Sequence, residues 1–535
     1  MRKQSISKGF AVLSVAGIAV KILSILYIPF LRWIIGDEGY GIYGAAYQVY
    51  VFIYVIANSG IPVAISKSVS ELVALENYKD AARVFKIARA YLIIIGVTLS
   101  VAMFAASGPL AGLVRFDKSF LAIAALSPTI LFTSIGSAYR GYFQGRGNMT
   151  PTAVSQIVEQ IVNVICTLLF AYLLIGRGIE AACAGGTVGT SMGALVSTAF
   201  LIYIFNKNRN TIVPEESRKK NINRFTYRQL AVKVLDYSIP ITVCLAAQYA
   251  GNLVDLANTK ARLLTAGFSD ANASIMYGYL TKYQQLMNVP ISFVSALAAA
   301  VLPSLSGSMA LRDREQTQHK IRYSVRLCFL LVIPSAVGFS VLSEPVYSLL
   351  KFGAGSYLML YGSVVLVLMA VVQIQTTILQ GAGKLYRATV NVLIGIAAKV
   401  LLNYVLIAIP QLNINGAIIG SAAGFIIPLI LNTAAIRKYV GVRTDMAKQV
   451  SKPLISSIVM GLAVLIVYKT VNVVVGLSGA LYFSNALAVV LSVISGMLVY
   501  LMVMLKLKGI NEEDLDALPE RFKRIIPKKF LNRMV

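Results

Sequence analysis

Apolar runs of twenty or more residues alternate with short polar loops along almost the whole chain. As a helix, each run is long enough to cross a hydrocarbon core of about 30 Å. A core helix of a water-soluble domain keeps a polar face, and most of these runs have none. The chain is therefore an all-α, polytopic membrane protein. Fourteen spans are expected, at about 9–35, 41–66, 84–110, 119–143, 151–175, 181–205, 234–264, 275–308, 321–350, 356–380, 386–409, 415–436, 453–475 and 481–505. Composition agrees, with 57% hydrophobic and 13% charged residues, against about 25% charged in an ordinary soluble domain. The first run is too long for a signal-peptide core and is read as a retained first helix.

Lysine and arginine collect in alternate loops. One set holds Arg2, Lys3 and Lys8, the stretch Lys67 to Arg89, and the loop carrying Lys207, Arg218, Lys219, Lys220, Arg224 and Arg228. The tail adds Arg521, Lys523, Arg524, Lys528 and Lys529, while the intervening loops hold few, such as Arg115, Arg177 and Lys351. Basic loops stay on the cytoplasmic side, so both termini are expected there. The net charge of +27 then follows from topology and anionic lipid. No soluble domain exists to carry a nucleic acid, and none is expected as a partner.

Two stretches of the chain resemble each other. Gln144-Gly145-Arg146-Gly147 after span four matches Gln380-Gly381-Ala382-Gly383 after span ten, and each is followed by a polar helix, through Glu159 to Asn163 and through Lys399 to Asn403. Ala64-Ile65-Ser66-Lys67 closing span two meets Val301-Leu302-Pro303-Ser304 in span eight. A parallel repeat of this kind implies two pseudo-symmetric six-helix bundles with a site between them. The expected division is 1–205 and 234–436 as the bundles, 206–233 as a basic cytoplasmic linker, 437–507 as helices thirteen and fourteen, and 508–535 as a basic cytoplasmic tail.

Several chemistries are excluded by what the chain lacks. Cys166, Cys183, Cys244 and Cys328 all sit inside apolar runs and read as small buried hydrophobes. The single histidine, His319, has no ligand cluster around it, so no metal site is expected. Gly381-Ala382-Gly383-Lys384 lacks the spacing of a nucleotide-binding loop. No cofactor is expected beyond a coupling ion such as Na⁺ or H⁺, and energy must come from the membrane.

At this point the residues resemble a family. Leu302-Pro303-Ser304-Leu305-Ser306 is similar to the signature of MurJ-type lipid II flippases. Gly60-Ile61-Pro62-Val63-Ala64-Ile65-Ser66-Lys67 resembles stage V sporulation protein B. So does Arg140-Gly141-Tyr142-Phe143-Gln144-Gly145, continuing through Asn148-Met149 and Ser155-Gln156-Ile157-Val158-Glu159-Gln160. Both groups belong to the multidrug/oligosaccharidyl-lipid/polysaccharide exporter superfamily, and the resemblance covers roughly residues 1–510. It implies a monomer in the bacterial plasma membrane. Its activity would be to move an undecaprenyl-pyrophosphate-linked sugar outward by alternating access, with cell-wall or sporulation polysaccharides as the destination. In MurJ-type proteins, arginines of spans one, two and eight line a cationic cavity. Here Lys21 falls on one of the span-one positions, and Gln285 stands where span eight carries arginine, with Lys282 one turn away. Tyrosines replace the span-two pair. These departures point to the sporulation-protein branch.

Ionisable residues inside spans are few, and each costs about 2.5–3.5 kcal/mol at the bilayer centre. Lys21, Lys282 and Lys399 are the candidate substrate-binding cations, because a pyrophosphate leaving water needs a cluster of positive charge. The competing reading for each is an ion pair or a side chain snorkelling to the interface. Glu159 with Gln156, Gln160 and Asn163 makes one polar stripe at helical spacing; Asp255 with Gln248, Asn252 and Asn258 makes a second; Asn391, Lys399 and Asn403 make a third. Glu159, Asn163, Asn252, Asp255 and Gln285 are candidates for the cavity wall or ion coupling, with Glu159 and Asp255 equally suited to pairing with the lysines. Tyr43, Tyr47, Tyr50 and Tyr54 form an aromatic face suited to sugar contact, or to packing on a neighbouring helix. A cationic-drug antiporter would need an acidic cavity, and a membrane glycosyltransferase would need a sizeable acidic external loop. The first external loop holds only Asp37 and Glu38.

Overall fold

The structure, a computed structural model, describes residues 6–208, 225–310, 313–442, 446–476 and 481–509. Residues 209–224 of the expected linker and 510–535 of the expected tail lie outside the described residues. Every regular element among the described residues is helical.

Proline and glycine set the breaks in the first apolar stretch. Helix α1 (Ile6–Leu26) stops at Tyr27, where Pro29 enters the first turn of α2 (Ile28–Asn58) and brings no N–H to donate backward. Within α2 the path breaks again at Gly36, whose φ of 68° a side chain would resist. Ser59 and Gly60 separate α2 from α3 (Ile61–Ala74), which again begins on a proline, Pro62.

Next come α4 (Tyr78–Ala105), the short α5 (Ser107–Leu113), α6 (Phe120–Gly145), α7 (Thr150–Leu174) and α8 (Ile179–Lys207). Asn77 caps α4 by accepting from the Asp80 amide. Beyond the linker lie α9 (Tyr227–Thr265), α10 (Asp270–Ala310), α11 (Arg314–Val341), α12 (Ser343–Leu349) and α13 (Ser356–Gly381). Thr226 and Gln229 form a capping box at the start of α9, and Asp313 caps α11. The chain continues through α14 (Leu385–Leu406), α15 (Asn415–Tyr439), α16 (Met446–Gly476) and α17 (Leu481–Lys506).

Among the described residues, 12 segments are long and apolar enough to cross a membrane. The expected fourteen differs in two places. Ile28–Val73 counts once, because α2 and α3 follow one another directly, and the expected first span is shared between α1 and the start of α2. The expected eighth span falls on the 41-residue α10.

The chain divides by contacts into two units, one of residues 1–285 with 396–420, the other of 286–395 with 421–535. This division runs through α10, α14 and α15, whereas the expected boundary lies in the linker. In the first unit, α3, α4, α6, α8 and α9 enclose an apolar core that includes Ile65, Val69, Phe85, Tyr142, Phe143, Leu201 and Val234. Two of the motif segments meet here. A Cβ on Gly141 would lie 2.7 Å from the Pro62 carbonyl, and one on Gly145 would lie 2.7 Å from that of Ser66. These glycines let α6 pack directly on the backbone of α3, as small residues do where membrane helices cross closely. In the second unit, Asn391 donates to Asn432 at 2.8 Å and Gln375 to Thr433 at 2.8 Å. Leu342, Met460 and Val464 pack as a smaller cluster there.

The internal similarity is visible as matching backbone. Gly147 and Gly383 both have φ 71°, and they donate to Gln144 (2.9 Å) and Gln380 (3.0 Å) respectively. A second pair stands at the same offset. Arg115 (φ 61°) after α5 donates to Gly112, and Lys351 (φ 49°) after α12 donates to Ser348. Phe116 and Phe352 follow them, both buried. The first pair is legible in the sequence and the second is not, because Ser107-Gly108-Pro109 and Ser343-Glu344-Pro345, which open α5 and α12, share too few residues.

Candidate functional site

Among the described residues of the first unit, intramembrane charges form three hydrogen-bonded groups, with Lys21 outside them. At the break in α2, Asp37 receives Arg32 on both carboxylate oxygens, Nε at 2.7 Å and Nη2 at 3.0 Å. The same carboxylate accepts from Lys282 Nζ at 2.8 Å. The Lys282 side chain is 0% exposed, and its ammonium also lies 4.7 Å from the Tyr279 ring centroid. Lys282 is therefore a paired cation. Asp37 reads from the sequence as a loop residue and Arg32 lies within the expected first span, yet they complete this group, which carries one net positive charge. Glycine makes the approach: a Cβ on Gly41 would strike the Ser274 carbonyl, and one on Gly278 would lie 2.6 Å from the Asp37 carbonyl. Close by, Lys118 binds Glu38 at 2.7 Å, and the buried Lys260 binds Asp270 at 2.9 Å and Ser274 at 2.8 Å.

The second group joins α9 to α14. Lys399 Nζ lies 2.8 Å from Asp255 Oδ2, and the Asn403 amide donates to Asp255 Oδ1. Asn258 donates to the Val400 carbonyl at 3.0 Å along the same seam. Two of the expected polar stripes thus meet each other, except that Asn391 departs to Asn432 in the second unit. Asn252 is exposed and Gln285 half-buried.

The third group links α6, α7 and α8. Arg140 pairs with Glu159 and also donates to Ser155 at 3.1 Å and Ser197 at 2.8 Å. In the sequence Arg140 stands out only as part of a glycine-rich motif. Its 19-residue separation from Glu159 has no helical period, so only the fold brings the two together. Asn163, one turn beyond Glu159, accepts from Thr167 at 3.0 Å and Thr190 at 3.2 Å. Thr190 is in turn hydrogen-bonded to Tyr47. The tyrosines form a ladder: Tyr43 to Tyr47 is 4.7 Å between ring centroids, Tyr47 to Tyr50 is 5.9 Å and Tyr50 to Tyr54 is 5.8 Å. Tyr27 adds a hydroxyl contact to Tyr43 at 3.4 Å. Tyr43 and Tyr50 are buried; Tyr47 and Tyr54 are half-buried. The ladder packs inside its own unit, with polar hydroxyls joined to α8 and α7.

Lys21 differs from the other two lysines. It is exposed on α1, and no acid pairs with it among the described residues. The three candidate cations are thus one open lysine and two that already hold a carboxylate. Chemically, the unit offers a cation for an anionic ligand at Lys21, a net positive cluster at Asp37, and the two half-buried neutral pairs Arg140–Glu159 and Lys399–Asp255.

The polysaccharide biosynthesis protein family matches residues 6–309. The lipid II flippase MurJ of Bacillus subtilis (strain 168) is 27% identical over 481 residues, 86% of this chain and 88% of that protein. Stage V sporulation protein B of the same organism is 26% identical over 445 residues, covering 82% of this chain and 85% of that one. A solved structure of lipid II flippase MurJ in an inward closed conformation superposes with a TM-score of 0.65 at 14% identity, over 92% of this chain and 97% of the other.

Proposed function

We infer, because this chain belongs to the polysaccharide biosynthesis protein family, that it is a transporter that flips a lipid-linked glycan across the membrane. In the finer reading, the cargo is an undecaprenyl-pyrophosphate-linked sugar of the lipid II class, moved from the inner to the outer leaflet of a bacterial plasma membrane. Both termini are cytoplasmic in this reading, as the loop charges favour. Similarity to a lipid II flippase over 86% of this chain supports the substrate class.

The observation that carries the reading is Lys21. A lysine in an apolar helix costs about 2.5–3.5 kcal/mol if it faces lipid. Lys282 and Lys399 offset that cost with Asp37 and Asp255, and Lys21 does not. An unpaired ammonium on a wet wall is what a phosphate-bearing headgroup requires. Alternating access then needs only that Lys21 meet the headgroup from the cytoplasmic side before the helices rearrange.

The membrane potential is the favoured drive. Glu159 and Asp255, the acids suited to a coupling ion, already hold Arg140 and Lys399. A soluble cation would have to displace a tethered one. Moving one positive charge across 100 mV is worth about 2.3 kcal/mol, enough to reset a loaded or empty cavity.

The test is reconstitution in proteoliposomes with fluorescent lipid-linked precursors. Lys21→Ala is expected to abolish appearance of the precursor in the opposite leaflet with membrane insertion intact, and Lys21→Arg to retain much of it. Undiminished flipping by Lys21→Ala sinks the reading.

A further inference from the structure

Beyond translocation, we propose that the first unit carries a separate anion site, built from Arg115 and Arg262, that binds a phosphate-bearing ligand at the membrane face opposite the linker. The two arginines share one cavity of about 510 Å³ with Asn258, Thr265 and Tyr404. No carboxylate lines it, and neither arginine forms an ion pair among the described residues. Asp117, two residues after Arg115, is outside the lining. Asp255, two turns before Arg262, is committed to Lys399 and Asn403. Two guanidiniums that face one space repel each other, and an anion between them reverses the sign of that interaction.

Three features prepare the site. First, Arg262 stands with its Cζ 4.1 Å from the centroid of the Tyr404 ring, which holds the guanidinium plane in place. Second, its Nε is buried and has no hydrogen-bond partner. A buried donor left unmet is costly, and an acceptor beside it removes the cost. Third, Arg115 comes from another part of the fold, held at φ 61° where the chain leaves α5. Guanidiniums from two directions suit the tetrahedral array of phosphate oxygens, which accept paired donors.

Location sharpens the chemistry. Loop charge places this end of α9 and α14 on the extracytoplasmic side, where arginine is otherwise scarce. Two unpaired arginines in one cavity there are not accounted for by topology. The ligand is a phosphate or pyrophosphate group, carried by a lipid of the outer leaflet or free in solution.

The site is tested by binding alone, with the full-length purified protein in neutral detergent and no transport step. Sodium pyrophosphate, farnesyl pyrophosphate and farnesol are titrated calorimetrically. Binding of either pyrophosphate is expected, weakened about tenfold by Arg115→Gln and again by Arg262→Gln, with Arg262→Lys intermediate. Preference for farnesyl pyrophosphate assigns the site to a lipid; equal affinity for both assigns it to the free anion. Helical content and elution volume confirm that each variant is folded. The proposal is overturned if neither pyrophosphate binds, if farnesol binds as well as its pyrophosphate, or if the double variant binds like the parent protein.

Discussion

Lys399 and Asp255 are held 2.8 Å apart between α14 and α9, and Asn403 donates to the second oxygen of the same carboxylate. With side chains 17% and 11% exposed, the pair is largely removed from water. Removing one member of a buried pair strands the other charge, which costs about 3–5 kcal/mol when burial is complete. For this pair, Lys399→Ala is expected to destabilise by about 2–4 kcal/mol, read as the unfolding midpoint in detergent. Replacing both members, Lys399→Met with Asp255→Leu, is expected to recover most of the loss. A double variant no more stable than the single ones would show that the pair is not the stabilising element.

The same contact bears on energy coupling. While Lys399 stays in place, Asp255 has no vacancy for a soluble cation. Flipping by the parent protein is therefore expected to follow an imposed potential and to be indifferent to exchange of Na⁺ for choline at fixed potential. In Lys399→Ala the carboxylate is open, and a dependence on Na⁺ or on pH is expected to appear. Proteoliposomes with a potassium diffusion potential make the comparison. Strong Na⁺ dependence in the parent protein would refute the assignment of Lys399 as the resident cation.

The group around Asp37 predicts an asymmetry. Lys282→Ala leaves Asp37 held by both Arg32 contacts, so a loss of about 1–2 kcal/mol is expected. Asp37→Ala leaves Lys282, whose side chain is 0% exposed, buried beside Arg32 without the carboxylate that both now hold. That is the costlier case, about 3–5 kcal/mol. Thermal unfolding of the two variants side by side is the measurement, and equal losses would count against Asp37 as the centre of the cluster.

What could be read from the sequence depended on distance along the chain. Apolar runs revealed the helices because a span is a local property. Lys21, Lys282 and Lys399 stood out because each interrupts an apolar run. Their partners did not stand out. Asp37 lies 245 residues from Lys282, at the Gly36 break, where an acid reads as an ordinary loop residue. Arg140 sits in a glycine-rich motif whose packing against α3 gives those glycines a structural reason. The tyrosines of α2 were legible as one face, since they recur every three or four residues. Their link through Thr190 to Asn163 depends on α7 and α8 and has no sequence signature.

Close helix contact at the α2 break gives a graded test that separates backbone from side-chain packing. A Cβ on Gly17 of α1 would meet nothing within 4 Å, so Gly17→Ala is expected to be neutral or slightly stabilising. Gly36 also has open space but sits at φ 68° and ψ −177°, and Gly36→Ala is expected to cost about 1–3 kcal/mol from backbone conformation alone. A Cβ on Gly44 would lie 2.7 Å from Thr281 Oγ1, whereas one on Gly41 would strike the Ser274 carbonyl. Each alanine there overfills the crossing of α2 with α10, at about 1–3 kcal/mol or more. The two differ in what relieves them. Trimming Thr281→Ala removes the atoms in conflict and is expected to rescue Gly44→Ala. Ser274→Gly leaves the carbonyl where it is and is expected to leave Gly41→Ala unrescued. Unfolding midpoints of the four single and two double variants decide the matter. Rescue of Gly41→Ala by Ser274→Gly would mean that the helices meet there through side chains and not through backbone.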